Sequence, residues 1–257
     1  LPLPTPHRRQ DRIFGRPKAF AFLALRSPAL YTDAAVSIRA EMYQALLSDA
    51  LQAVALPRPL HQPSHQLLQL TRVSGAMQEV AYEASLAGLG AGVGVGWQGL
   101  SLSLSGYDQR LPELAGTVAS SLRTFEMPQQ TFERRKDQLT RQLRNLGRRQ
   151  PIQLCAYRRN LALEAPRYTN EALLAAAQKV TLADVQAFQR DLLPEVELEA
   201  FVCGNMVEGE AEAVVRQLQD ALPSKPLPLS SRPVRRVRRV PTGATLQQFV
   251  AENAQEE

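Results

Sequence analysis

The sequence predicts a soluble globular domain of mixed helix and strand, and three observations carry that prediction. Leu100-Ser101-Leu102-Ser103-Leu104-Ser105 alternates apolar and polar residues without a break, the period of a strand with one buried face. Val36, Ile38, Met42, Leu46, Leu47 and Leu51 recur at the three-to-four spacing that gives a helix one apolar stripe. Apolar residues make up 44 % of the 257, enough to bury the core of one large domain or two small ones.

Taken in order, residues 1–18 are rich in Pro and Arg and read as a linker. Phe20-Ala21-Phe22-Leu23-Ala24-Leu25 has a strand's length and Pro28 punctuates it, after which Thr32-Asp33 can cap a helix over about 34–52. Residues 53–77 break the pattern. Pro57, Pro59 and Pro63 preclude a continuous helix there, and the stretch holds no Asp, Glu or Lys. Helical signal resumes at 78–84. The five glycines from Gly88 to Gly96, at every second position, suit a bent or closely packed strand edge ahead of the alternating strand. Helical patterns then cover about 111–124, 129–146, 151–164, 170–178 and 181–192, the last opened by the capping signature Thr181-Leu182-Ala183-Asp184. A strand is expected at 198–204 and a final helix at about 208–221. Beyond Pro223 the chain reads as a linker, with the first strand of a further domain starting near Val237.

The formal charge of +5 raises the question of an anionic partner. The excess is local: Arg134-Arg135-Lys136, Arg148-Arg149 and Arg158-Arg159 fall on helical segments, where a basic run is expected to be a solvated face. No aromatic interleaving accompanies them, so nucleic acid is not an expected partner. Cys155 and Cys203 lie far apart and outside any C-x-x-C, which argues against a disulfide scaffold or zinc ribbon and suits a reducing compartment. No stretch approaches the roughly 18 apolar residues of a membrane span. The opening Leu-Pro-Leu-Pro-Thr-Pro has neither an initiator Met nor a signal-peptide layout, so it reads as the inside of a longer protein.

Chemistry-bearing patterns are sparse. Gly94-x-Gly96-x-x-Gly99 matches a dinucleotide fingerprint in form, but a strand follows it where a helix N-terminus must meet the pyrophosphate. His61 and His65 stand four apart, the spacing of metal ligands on one helical face, yet Pro63 lies between them and no third ligand is near. There is no G-x-S-x-G elbow, the remaining histidine is His7 in the linker, and Cys155 is expected in the core. No cofactor, metal set or nucleophile is therefore expected in this chain.

Several segments nevertheless follow one family in order and spacing. They are Asp11-Arg-Ile-Phe14-Gly-Arg-Pro17-Lys18-Ala19 with Ser27-Pro28 and Tyr31-x-Asp33; Leu47-Ser-Asp49-Ala-Leu51 followed by Glu79-Val-Ala-Tyr82-Glu-Ala84; and Leu104-Ser105-Gly106-Tyr107-Asp108. Thr124-Phe125-Glu126 with Phe132-Glu133, Gln150-Pro151 ahead of Tyr157, Val180-Thr181-Leu182 with Phe188, and Gly204-Asn205 complete the series. Together they resemble the third domain of the insulinase/pitrilysin family of zinc metallopeptidases.

That resemblance implies an α+β fold, a mostly antiparallel sheet with helices packed on one face. It implies linker at 1–10, the third domain at 11–222 with 53–77 as an insertion splitting a long helix, and at 223–257 a linker and the start of a fourth domain. Zinc and the general base would belong to an inverted His-x-x-Glu-His motif in the parent's first domain, absent here. The implied partners are the other domains of the same polypeptide and a peptide substrate, with no nucleic acid and no membrane, and the implied location is cytoplasmic, an organelle being the alternative. Tyr157, assisted by Arg148 or Arg149, is the residue implied to hydrogen-bond substrate at the scissile bond. The implied function is a non-catalytic substrate-binding and structural domain of a zinc metalloendopeptidase; the alternative is an inactive paralogue serving as a core or assembly subunit. On either reading the isolated chain, loaded with zinc and desalted, is expected to retain less than one ion per molecule and to cleave no peptide. One-to-one zinc with cleavage, both lost in His61→Ala and His65→Ala, would contradict this.

Overall fold

The computed structural model describes residues 7–10, 17–30, 32–55, 90–96, 98–222, 224–234, 236–239 and 243, with the backbone alone at 7–9, 52–55 and 229. Apolar side chains at alternate positions build the central strand, β2 (Lys18–Arg26), after the short β1 (His7–Gln10). Ala19, Ala21, Leu23 and Leu25 of β2 are buried, while Phe20 and Phe22 point the other way and stay exposed. Antiparallel neighbours flank β2 on both sides, β4 (Gly99–Tyr107) and β6 (Glu195–Gly204). β3 (Gly90–Gly96) pairs antiparallel with β4; β1 and β7 (Lys225–Pro226) join β6 in parallel. The sheet order is β1-β6-β2-β4-β3, and β5 (Glu164–Ala165) forms a separate ribbon with β8 (Arg236–Val237).

The described helices are α1 (Ala34–Ala55), α2 (Leu111–Thr124), α3 (Gln129–Arg144), α4 (Pro151–Leu163), α5 (Asn170–Lys179), α6 (Leu182–Leu192) and α7 (Glu208–Ala221). Leu100, Leu102 and Leu104 of β4 and Val196, Ala200 and Val202 of β6 face the same way as the buried residues of β2 and join one core with α1, α2, α6 and α7. Helices thus cover one face of a mostly antiparallel sheet, the α+β arrangement that the family resemblance implies. α1 reaches Ala55; the rest of the 53–77 insertion and the helical signal at 78–84 lie outside the described residues.

Tyr43 is the hub between α1 and the other helices. Fully buried, it packs against the rings of Phe125 and Phe188 at 5.7 and 5.8 Å and donates its hydroxyl to the Leu122 carbonyl at 2.7 Å. Burial pushes its phenol pKa well up, so its proton stays on while the chain is folded. Above a pH of about 10 the unfolded tyrosine ionises and the folded one does not, so stability falls there as pH rises.

On the open face the glycine alternation has a steric cause. Gly90, Gly92 and Gly94 lie opposite Ser105, Ser103 and Ser101, and a Cβ at each would stand 2.7–2.8 Å from the serine Oγ. These are close-packing positions, and the Gly94-x-Gly96-x-x-Gly99 pattern belongs to the β3–β4 hairpin. The basic run on α3 is less solvated than expected. Arg134 and Arg135 pair with Asp49 of α1, and Lys136 Nζ donates to the Val180 carbonyl at 2.7 Å. These guanidiniums tie two helices together because α3 crosses α1 where that carboxylate is presented.

Two separated sequence segments meet at the end of β6. Asn205 Nδ2 donates to the buried Asp108 carboxylate at 2.7 Å, and its backbone N–H donates to the Lys18 carbonyl at 3.0 Å. Gly204 makes the turn possible with a φ of +116°, and a Cβ there would lie 2.4 Å from the Lys18 oxygen. Gly204→Ala is therefore expected to cost about 1–3 kcal/mol, read as a lower urea midpoint at unchanged slope. An unchanged midpoint would contradict this geometry.

Candidate functional site

A cleft of about 660 Å³ opens where α1, the end of α3, α4, the start of α5 and the β5–β8 ribbon converge. α4 starts at Pro151, whose fixed φ suits a first helical turn, and contributes no fully buried side chain. One of its faces lines the cleft through Gln153, Tyr157 and Asn160. Tyr157 is half-buried, and its hydroxyl oxygen accepts the Asn170 backbone N–H at 2.7 Å. That N–H is one of the unpaired donors at the start of α5. Thr169 Oγ1 accepts another, from Ala172 at 3.2 Å, and the Asn170 amide donates to the Leu143 carbonyl at 3.0 Å. A phenol that accepts one bond retains its own proton for donation, here beside the cleft. The Arg158 guanidinium lies 5.8 Å from the centre of the Tyr157 ring.

Of the two basic residues expected beside Tyr157, one lines the same cleft. Arg149 lines the cleft, whereas Arg148 is exposed at the end of the 3₁₀ turn Asn145–Arg148 and is not among the lining residues. Arg236 also lines the cleft, on β8, which the ribbon with β5 and the Arg238 N–H to the Leu163 carbonyl (2.7 Å) hold at the end of α4. Sequence reading missed Arg236, because its place in a basic stretch after Pro223 gives no sign of which element it packs on. Arg167 is already paired with Glu164 at 3.2 Å. Glu41 is exposed by surface area, yet protein packed around its carboxyl pushes that group above the usual carboxylate range. Burial, and secondarily the charge of Asp33, push the Tyr168 phenol up.

A wider hollow of about 910 Å³ lies on the open face of the sheet between Phe22, Phe201 and the Gly92/Ser103 floor; its one ionisable lining residue, Glu199, is paired with Arg26. Cys155, expected in the core, is exposed: the apolar residues of α4 are spread around the helix, and Cys155 falls on its outer side. His61 and His65 lie outside the described residues. Among the described residues no three His, Cys, Asp or Glu side chains are grouped to hold a metal ion, so these residues do not fit a zinc site and no step through zinc is assigned to them.

Residues 65–176 match the family model described as the middle or third domain of peptidase M16. The chain is 30 % identical over 214 residues to human insulin-degrading enzyme, covering 83 % of this chain and 18 % of that protein. It is 26 % identical over 221 residues to the peroxisomal insulin-degrading enzyme-like 1 of Arabidopsis thaliana, covering 86 % and 20 %. Pitrilysin has the same fold at a TM-score of 0.67 and 19 % identity, over 84 % of this chain and 20 % of that one. A peptidase M16 inactive domain from Pseudomonas fluorescens follows at 0.58 and 16 %, over 86 % and 48 %. The fold and the family model together define an insulinase-type α+β domain. The chain belongs to the insulinase (peptidase M16) family and matches its middle domain. It spans about a fifth of the length of the curated relatives it matches.

Tyr157→Phe removes the acceptor of the Asn170 N–H and is expected to destabilise the chain by about 1 kcal/mol, close to the cost of removing the helix cap with Thr169→Ala. Urea unfolding of both variants checks this, and an unshifted midpoint for Tyr157→Phe would contradict the described bond.

Proposed function

We propose that this chain, over 11–222, is a non-catalytic substrate-binding and structural domain of a zinc metalloendopeptidase that degrades small peptides. The zinc would sit in another domain of the same polypeptide, and that domain and the peptide would be the partners. The single observation that supports this most is the middle-domain match over 65–176 in a chain about a fifth as long as its relatives. Relatives named as a zinc protease and as insulin-degrading enzyme support the peptide as substrate class. We place the parent in the cytoplasm, with an organelle as the alternative suggested by the relative named peroxisomal.

Within this reading Tyr157 is the substrate contact, assisted by Arg149, with Arg148 further out. Its free proton would be donated to the carbonyl oxygen of the scissile bond as negative charge develops there. A second reading, an inactive paralogue acting as an assembly subunit, is favoured by the fold match to the M16 inactive domain. A parent sequence holding the inverted His-x-x-Glu-His motif would decide for the peptidase, and its absence for the paralogue.

In the full-length parent, Tyr157→Phe is expected to lower kcat on the order of a hundredfold and leave KM nearly unchanged. Thr169→Ala, with a similar stability loss, is expected to keep wild-type turnover. Wild-type kcat in the Tyr157→Phe parent, or an equal drop in both variants, would sink the assignment.

A further inference from the structure

We propose that the outer face of α4, continued by Val237 of β8, is the docking surface for the next domain of the same polypeptide, the one that the chain enters after β8. The inference rests on the reading of this chain as one domain of a longer polypeptide, and it adds the surface and the chemistry of the partner.

α4 has no anchor of its own in the core. None of its 13 residues is buried, whereas every other described α-helix buries at least one. Among the described elements it packs mainly on β5. A helix this short is marginal in water and holds through an apolar face packed on a neighbour. Leu154, Tyr157 and Leu161, along one side, are only half-buried. On the opposite side, spacings of three and four residues line up Ile152, Cys155, Arg159 and Leu163. All four are exposed, Ile152 at 75 % and Leu163 at 39 %.

The apolar strip continues past the helix end. Val237 of β8 is in register with Glu164, the residue after Leu163, and the Arg238 N–H donates to the Leu163 carbonyl at 2.7 Å. Val237 is itself 75 % exposed. Exposed apolar residues on two adjoining elements mark an interaction surface, where a single exposed side chain would not.

The course of the chain identifies the partner. β8 is held at the end of α4, so whatever follows it sets out from beside this face, and this chain spans about a fifth of its curated relatives. A tethered neighbour needs only a modest patch, because the linker keeps its effective concentration high. α4 carries Arg158 and Arg159 and no Asp or Glu, so the complementary surface is apolar and edged with carboxylates.

Cys155 reports whether the face is covered. Iodoacetamide labelling of this thiol, resolved by peptide mass, is followed in the 257-residue chain and in the full-length parent. The rate is expected to fall about tenfold or more in the parent. It is expected to recover in a parent carrying Ile152→Asp, a change that leaves the melting temperature of the 257-residue chain unmoved because the side chain is exposed. Photo-leucine incorporated into the parent is expected to cross-link position 163 to residues beyond 257. Equal labelling rates in chain and parent would overturn the docking surface alone, as would cross-links from position 163 to a preceding domain or a second copy. A parent with no domain after β8 would overturn the proposal together with the reading on which it rests.

Discussion

Strand β2 is hydrogen-bonded to β4 on one side and β6 on the other, and its residues Ala19, Ala21, Leu23 and Leu25 are all buried. Because side chains alternate with a period of two, this single choice of face fixes the face of every strand registered to it. Leu100, Leu102 and Leu104 must point at the helices, and so must Val196, Ala200 and Val202. Leu23 and Leu25 share one core with α1 residues such as Ile38, Met42 and Tyr43. The opposite face is left to Phe20, Phe22, Phe201 and the Gly/Ser floor.

The residues by which the chain resembles its family mostly make the fold. Asp108 and Asn205 join the end of β4 to the end of β6, with Gly204 supplying the one backbone conformation that permits it. Asp49 anchors α3 on α1, Thr181 and Asp184 cap α6 reciprocally, and Phe125 and Phe188 close over Tyr43. Tyr157 belongs to this class through Asn170 and departs from it through its remaining proton. Arg149 and Arg236 line the same cleft, and their side chains make no hydrogen bond or ion pair among the described residues.

Much of this was legible in the sequence. Leu100-Ser101-Leu102-Ser103-Leu104-Ser105 announced β4 because one face is buried and the other open, and the helices from 111 to 221 followed from stripes and caps. Strand β5 was not legible, since a two-residue pairing leaves no periodic signal; a strand was expected near Val237, where β8 lies, but nothing in the basic chain after Pro223 showed that it pairs with β5. Arg134 is exposed as expected, but Arg135 and Lys136 were misread as solvated because partners such as Asp49 and the Val180 carbonyl on other segments are invisible to spacing. Cys155 was misread because an apolar neighbourhood in sequence is not a buried stripe. The cleft was half legible. The resemblance supplied Tyr157 and offered Arg148 and Arg149 alike, and the geometry of the 3₁₀ turn separates those two.

The central claim is that Tyr157 and Arg149 act on one bound group. A double-mutant cycle on kcat/KM in the full-length parent tests it most directly, using Tyr157→Phe, Arg149→Gln and the pair. Residues sharing a partner are expected to couple, so the double variant should lose less than the two single losses combined, by about 0.5–3 kcal/mol. Losses that add within about 0.3–0.5 kcal/mol would contradict the claim and return Tyr157 to the role of a helix cap.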